Sequence, residues 1–468
     1  MNRFSGLSRS VTRRRLLQGS GLAAGALAAS STFAAPAILR AAAQEATNPD
    51  VSGKMTEWGF GIQETNPLAR ARVLAFQEAF PNVELEIVES FDEQKLLTAA
   101  ASDTLPDVLW LGRFETATWA ARGVLQPLTD FIARDSYDTS VFYPFAIEEA
   151  TWQDEIYGIP GGADVRALYV NVDHLTEAGG DVESLDTSDW DALSELGAKM
   201  VKKNGDQVQR WGFDHRVQAN NFWLWGRGNG GHFTNDDASE ATFNDGKNVE
   251  AMQWAFDAYE AQGGSKLYDA LATTFQGDQQ FAQGTVSMSL YEQWMLSAAI
   301  ATVAPDLNFR LLPVRERGSG PEGKISTYSG GNAWYIPKGA KNPDAAWEFI
   351  KFLHTDDTWR IGAEAVKKLR QENNNPYFPS LTGKPAVDKM QIDELYEPVG
   401  PAFDDAVKLL PQLLEASQSL EIGKSPVAGQ LSDIMLADGV KPSLSGSASP
   451  QDALDSANQN AQDAIDSF

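Results

Sequence analysis

The stretch YGIPGGADVRALYVNVD, residues 157–173, decides how this chain is divided. It opens on a turn, in which Pro160 fixes φ and Gly158 supplies permissive backbone. Gly161 and Gly162 follow, a pair that offers little steric resistance to a change of φ and ψ. Val165–Val172 is rich in β-branched and aromatic residues and reads as a buried strand. A permissive pair feeding a core strand suits a hinge between two rigid bodies. An ordinary turn before an ordinary strand would account for the same residues.

Upstream, Lys54–Ile62 reads as a strand that ends in the loop Gly61–Pro67. Leu68, Val73, Phe76 and Phe80 recur at helical spacing, Pro81 stops them, and Val83–Val88 alternates as a strand. This is a βαβ opening, a unit that favours parallel sheets with ligands outside the carboxyl ends of the strands. Asp92–Ser102 reads as a second helix, and Pro106–Leu111 leads through a buried strand to a second loop, Gly112–Glu115, at the same edge. Downstream, Trp190–Val201 is an amphipathic helix capped by Asp189, Trp211–Asp214 a strand, and Asp245–Gln262 a helix. The glycines of Asn220–Phe233 are not a dinucleotide fingerprint, because no helix opens after them, and Trp223 and Trp225 read as core. Asp236 and Asp237 lack calcium-loop spacing and read as a solvated loop. Ser449 and Pro450 open a last helix with one apolar face.

A chain of 468 residues with 43% hydrophobic content exceeds what one core organises, so two lobes are expected. The formal net charge of −26 disfavours nucleic acid and anionic lipid surfaces as partners. The absence of cysteine excludes disulfides, thiolate metal sites, a cysteine nucleophile and a lipoprotein anchor. His174, His215, His232 and His354 are scattered without ligand spacing, so neither a histidine-built metal site nor a cofactor is expected. Thr12–Gln18, with Arg13 and Arg14, resembles a twin-arginine export signal, and an uncharged run rich in Ala and Gly follows from Leu16 to Leu39. Residues 1–43 are therefore expected to be a leader cleaved after Ala43, with Ala35 as the second choice, leaving a periplasmic protein.

Several segments, in their order and spacing, carry a resemblance: FPNVELEI (80–87), LPDVLWL (105–111), GVLQPL (123–128), YGIP and LYVN within 157–171, FAQGTVSMSL (281–290) before Trp294, and PDAAWEFIKFL (343–353). Over residues 54–467 the chain resembles family 1 extracellular solute-binding proteins, the sugar-binding receptors of ABC importers. The resemblance implies an α/β, two-lobed, type II periplasmic binding protein-like fold. Each lobe would be a mixed, mainly parallel sheet flanked by helices, with the ligand in the interlobe cleft. It places lobe 1 over residues 44–160 and 315–380 and lobe 2 over 161–314 and 381–468, with FRLLPV (309–314) as the second crossover. It implies a carbohydrate ligand, permease subunits as partners, no nucleic acid, a monomer, and no catalysis.

A sugar presents CH faces for aromatic rings and hydroxyls for carboxylates, amides and Arg. Asp164 falls where the family places a ligand-facing carboxylate; the alternative is a carboxylate that caps the hinge. Arg166, two residues on, shares its face of the strand and either bonds the ligand or pairs with Asp164. Trp294 matches the family's stacking aromatic, and Glu292 beside it either accepts hydroxyls or lies on plain surface. Gln63 and Glu64 sit on the first loop, and Arg113 with Glu115 on the second. Gly330, Gly331 and Asn332 let backbone approach the ligand or form a tight turn. Rival readings keep the fold but bind a polyamine, glycerophosphodiester or peptide, or make the chain an exported glycoside hydrolase working through two carboxylates.

Overall fold

The βαβ pattern read at the start of the chain is the seed of the first of two sheets. The computed structural model describes residues 48–205, 207–272 and 277–468, and the leader expected over 1–43 lies outside them. In chain order come β1 (Gly53–Trp58), α1 (Pro67–Ala79), β2 (Val83–Val88), α2 (Glu93–Ala101), β3 (Val108–Gly112), α3 (Thr116–Ala121), α4 (Pro144–Glu149) and β4 (Gly158–Pro160). The second part holds β5 (Arg166–Asn171), α5 (Trp190–Met200), β6 (Lys202–Asn204), β7 (Gln207–Asp214), α6 (Gly246–Glu260), β8 (Val286–Glu292) and β9 (Phe309–Leu312). The chain then adds β10 (Asn332–Tyr335), α7 (Pro343–Leu353), α8 (Asp356–Glu372), α9 (Pro401–Ala416), α10 (Ala428–Ile434) and α11 (Pro450–Asp466). Capping follows the residue types: Asn66, Asp92, Asp189 and Ser449 each accept a first-turn N–H with their side chains.

Two five-stranded sheets result, in the orders β2-β1-β3-β10-β4 and β9-β5-β8-β7-β6. The first is covered on one side by a core that includes Val73, Phe76, Phe349 and Ile350, and on the other by one around Leu109, Trp119 and Tyr335. The second carries a tryptophan-rich core of Trp190, Trp211, Trp223, Trp225 and Trp254, in agreement with the reading of Trp223 and Trp225. The aromatics ahead of the glycines in Asn220–Phe233 form a short helix, Phe222–Gly228.

Both sheets are mixed, and less parallel than expected. β1 is parallel to β2 and β3, and β7 to β8. β10 runs antiparallel to β3 and β4, and β5 antiparallel to β8 and β9. The cause is the double crossing. A strand that arrives from the other body enters at the edge where the bodies meet and must run away from it, whereas the neighbouring strands run towards it. The segment FRLLPV is not the second crossover. Its first four residues form the edge strand β9, paired to β5, and the chain crosses only after Gly330. The loop between stays on the second body: Arg317 N–H donates to Gly228, Gly318 N–H to Ser188, and the Ser326 hydroxyl to Leu224, each to the carbonyl oxygen.

The connecting segments meet at one place. Gly161 N–H donates to Asn332 O at 2.9 Å, Asp164 N–H to Gly330 O at 3.3 Å, and Ala163 N–H to Leu381 O at 3.1 Å. Gly161 is outside the positive-φ region. What it provides is close approach, because a Cβ there would collide with the ring of Trp110. Gly331 is required on both grounds: its φ is +134°, and a Cβ would strike the Gly162 carbonyl oxygen and the Arg113 guanidinium. Replacing Gly331 with Ala is therefore expected to lower stability by about 1–3 kcal/mol, the usual cost of such backbone strain, as read by urea unfolding. An unchanged midpoint would show that the crossover relaxes freely.

Candidate functional site

The carboxyl ends of β1, β2 and β3 open onto a cavity of about 580 Å³. Its walls from the first body include Glu89, Phe91, Trp110, Glu115 and Thr118, with Asn332 from the crossover. The opposite wall is α10, which presents Gln430 and Asp433. α10 belongs with the core of the second sheet through Val427, Leu431 and Met435. The cavity is thus closed by residues from both bodies. On the other side of α10 lies a smaller chamber of about 210 Å³, lined by Phe114 and Glu149 of the first body and by Arg166, Asn220, Tyr328 and Ser432 of the second. An ion pair of 3.3 Å between Lys424 and Glu148 joins the two bodies beside it.

The larger chamber has the residue kinds that polyhydroxylated molecules require. The indole of Trp110 packs against Trp334 at 4.5 Å, tilted by 49°, and edge-on to Phe60 at 5.1 Å, which fixes its plane. Glu93 pairs with Arg122 at 2.9 Å, whereas Glu115 accepts a neutral N–H from Trp119 at 2.9 Å and forms no ion pair among the described residues. The Thr118 hydroxyl is buried without a hydrogen-bond partner among the described residues. A buried hydroxyl left unpaired costs free energy that a ligand oxygen would recover.

A family model described as bacterial extracellular solute-binding protein matches residues 71–368. This chain belongs to that family. A lactose-binding protein of Rhizobium radiobacter is 23% identical to this solute-binding protein over 344 residues, 69% of this chain and 75% of that one. A maltotriose-binding protein of Pyrococcus abyssi is 22% identical over 342 residues, 71% and 67% of the two chains. Among solved structures, the sugar-binding protein MalE from Xanthomonas citri superposes with a TM-score of 0.69 at 19% identity, over 89% of this chain and 98% of that one. The substrate-binding protein Lmo0181 from Listeria monocytogenes, in complex with cycloalternan, gives 0.69 at 18%, over 89% and 100%. The shared architecture is that of a two-lobed binding protein.

Within this solute-binding protein, the residues singled out from sequence separate into two groups. Asp164, Arg166 and Glu292 come together. Register places Arg166 directly opposite Glu292 across β5 and β8, with Nη2 to Oε1 at 3.4 Å. Arg166 Nη1 donates to Asp164, whose carboxylate also accepts Gly330 N–H at 2.6 Å. Asp164 is thus a hinge cap as well as an ion-pair partner, and the pairing alternative for Arg166 is the one observed. Trp294, 41% exposed, stands edge-on to Tyr291 at 5.1 Å. Asn332 lines the larger chamber. Gln63 and Glu64 are exposed on the first loop, and Gln63 reaches the chamber only through Glu89, to which its amide donates at 2.6 Å.

Arg113 lines neither chamber. It is fully buried, and each nitrogen of its guanidinium has a protein acceptor. Nε donates to Glu149 at 2.9 Å, Nη1 to the carbonyls of Gly162 and, at 3.5 Å, Asn332, and Nη2 to the carbonyl of Gly330 at 2.7 Å. Gly331 lines the smaller chamber, and its carbonyl accepts the backbone N–H of Arg113 at 2.9 Å. Sequence reading missed Glu89, Trp110, Glu149 and the α10 residues. Trp110 was readable as a member of a buried strand, but nothing local marks Gln430 or Asp433, which lie more than three hundred residues from the strands they face.

Burial pushes the Glu149 carboxyl up to about 7, against the opposing pull of Arg113. Its folded form therefore holds a proton more tightly than the unfolded chain, whose value is near 4.5. Stability should fall as pH rises from about 4.5 to about 7 and then level off, and Glu149→Gln should flatten that slope in denaturant titrations across this range. Arg113→Met strips the carbonyls of Gly162, Gly330 and Asn332 of their donor and leaves Glu149 to keep its proton, and should cost about 3–5 kcal/mol, with the Arg113→Met, Glu149→Gln double variant costing less than the sum of the two single changes. An additive double-mutant cycle would show that the two side chains do not act as a pair.

Proposed function

We propose that this solute-binding protein is the sugar-capturing receptor of an ABC importer, taking a sugar, oligosaccharide or polyol by closure of two lobes and presenting it to permease subunits as a monomer. The observation that carries the reading is the composition of the larger chamber. A fixed indole, the Glu115 carboxylate and a buried hydroxyl without a partner among the described residues face amide and carboxylate groups of α10 across a gap between two bodies. A ligand that touches both walls has a higher affinity for the closed arrangement and shifts the population towards it. The names of the relatives, lactose-binding and maltotriose-binding, support the same class.

The division we propose keeps 44–160 with residues up to 380 in the first lobe and 161–314 with 381–468 in the second. The hydrogen bonds of Arg317, Gly318 and Ser326 support counting 315–329 with the second lobe. Arg13 and Arg14 before an uncharged run, in a chain without cysteine, support twin-arginine export to a periplasm without a lipid anchor. Asp164, Arg166, Glu292, Trp294 and Asn332 are the ligand-facing residues we retain from the sequence reading.

Thermal-shift and calorimetric screening against maltose, lactose, mannobiose and mannitol tests this reading, since a bound ligand raises apparent stability. At least one neutral sugar or polyol should stabilise the protein and be recovered unchanged. Hydrolysis products would favour the glycosidase alternative, and stabilisation only by polyamines or phosphodiesters would favour the non-sugar one. Trp294→Ala should weaken the bound sugar by about 1 kcal/mol, several-fold in Kd, through loss of ring contact with the CH face.

A further inference from the structure

Asp214 ends β7 inside the protein. Its carboxylate accepts Tyr259 OH at 3.0 Å, Tyr268 OH at 2.7 Å, Gln218 Nε2 at 3.2 Å and the backbone N–H of Arg216 at 3.0 Å. This network fixes the turn that follows. It holds Arg216 at φ +55° and Asn220 at φ +65°, a region that residues other than glycine seldom adopt. Such strained positions concentrate at binding sites, where the surrounding structure enforces them.

The Arg216 guanidinium lies over the ring of Tyr291, 4.2 Å from its centroid. Its Nε is buried without a hydrogen-bond partner. Among the described residues, none forms an ion pair or side-chain hydrogen bond with this guanidinium, in contrast to Arg113 and Arg166. Burial acts to lower its pKa, but Asp214, Tyr291, Tyr268 and Glu292 around it more than offset this and keep it charged. A charged fork with free donors, held by a rigid turn and backed by an aromatic face, is pre-organised for acceptors that come from outside the chain.

Topology brings it to the edge of the second sheet where Asn220, four residues on, lines the smaller chamber. β7 and β8 are parallel neighbours, with Asp214 beside Ser289, so the residues after each strand emerge at the same edge. At that edge β8 delivers Tyr291, Glu292 and then the exposed Trp294, and Asn220 lines the smaller chamber with Arg166. We propose that Arg216 is a ligand-binding residue of the second lobe, donating from its terminal nitrogens to paired oxygens on one edge of the bound sugar while Trp294 covers the CH face. This inference rests on the sugar-receptor reading above.

The test compares the wild type with Arg216→Gln and Arg216→Lys, using whichever of maltose, lactose, mannobiose or mannitol stabilises the wild type most. The expected result is a ligand-free melting temperature close to wild type for both variants. The Kd should rise at least tenfold for Arg216→Gln, with a smaller rise for Arg216→Lys. Wild-type affinity in Arg216→Gln would overturn the assignment while leaving the receptor reading intact. So would collapse of both ligand-free variants, which would make Arg216 a structural residue. No stabilisation of the wild type by any of these sugars would instead sink the receptor reading, and this inference with it.

Discussion

One buried guanidinium holds the connections between the two bodies in place. Arg113 leaves the carboxyl end of β3 and bonds backbone carbonyls of both the first and second crossings, at Gly162, Gly330 and Asn332. Its charge is balanced by Glu149 on α4, at 2.9 Å and nearly out of water. Neither ion would be tolerable there alone, because the desolvation of each is repaid only by a close partner and by satisfied hydrogen bonds. The backbone carbonyls exposed where two strands change sheets also need donors, and a planar fork with several N–H groups supplies them at once. The glycines at 161 and 331 follow from the same constraint, since side chains there would intrude on Trp110 or on the clamp itself.

With the connectors tied to the first body, the mixed sheets acquire their function. Strands that run towards the junction end in loops at the junction, so the loops after β1, β2 and β3 face those after β7 and β8. α10, a segment far along the chain, reaches across and divides the space into two chambers. The first body offers rings and carboxylates. The second offers amide, hydroxyl and carboxylate groups on α10, together with the ion-paired row Asp164–Arg166–Glu292. Neither wall is a site by itself, which is the physical condition for binding to be coupled to closure.

The fold was legible from local pattern. The alternation of Val83–Val88, the helical spacing from Leu68 to Phe76 and the caps at Asp92 and Asp189 report short-range preferences that tertiary contacts then reinforced. Strand direction was less legible. FRLLPV has the composition of a strand and says nothing of its partner, so its place at the edge of the second sheet needed the paired register with β5. The candidate site was legible in part. Asp164 and Arg166 were recognisable as neighbours on one strand face, but their mutual pairing and the tie of Asp164 to Gly330 depend on a residue 166 positions away.

Charge and residue type alone settled that the chain has no thiol chemistry, that it exceeds one core and that its body is acidic, because these are properties of composition and need no geometry. Segment order settled the family resemblance. Only the tertiary structure decided which arginine does what. Arg113, Arg166 and Arg216 are the same side chain in similar polar loops and strand ends. One is enclosed by carbonyls, one is paired with carboxylates, and one is left over an aromatic ring with free donors. Those differences depend on partners far along the chain, Gly330 and Asn332 for Arg113, Glu292 for Arg166 and Tyr291 for Arg216, and they appear only when the chain has brought both sheets to a common edge.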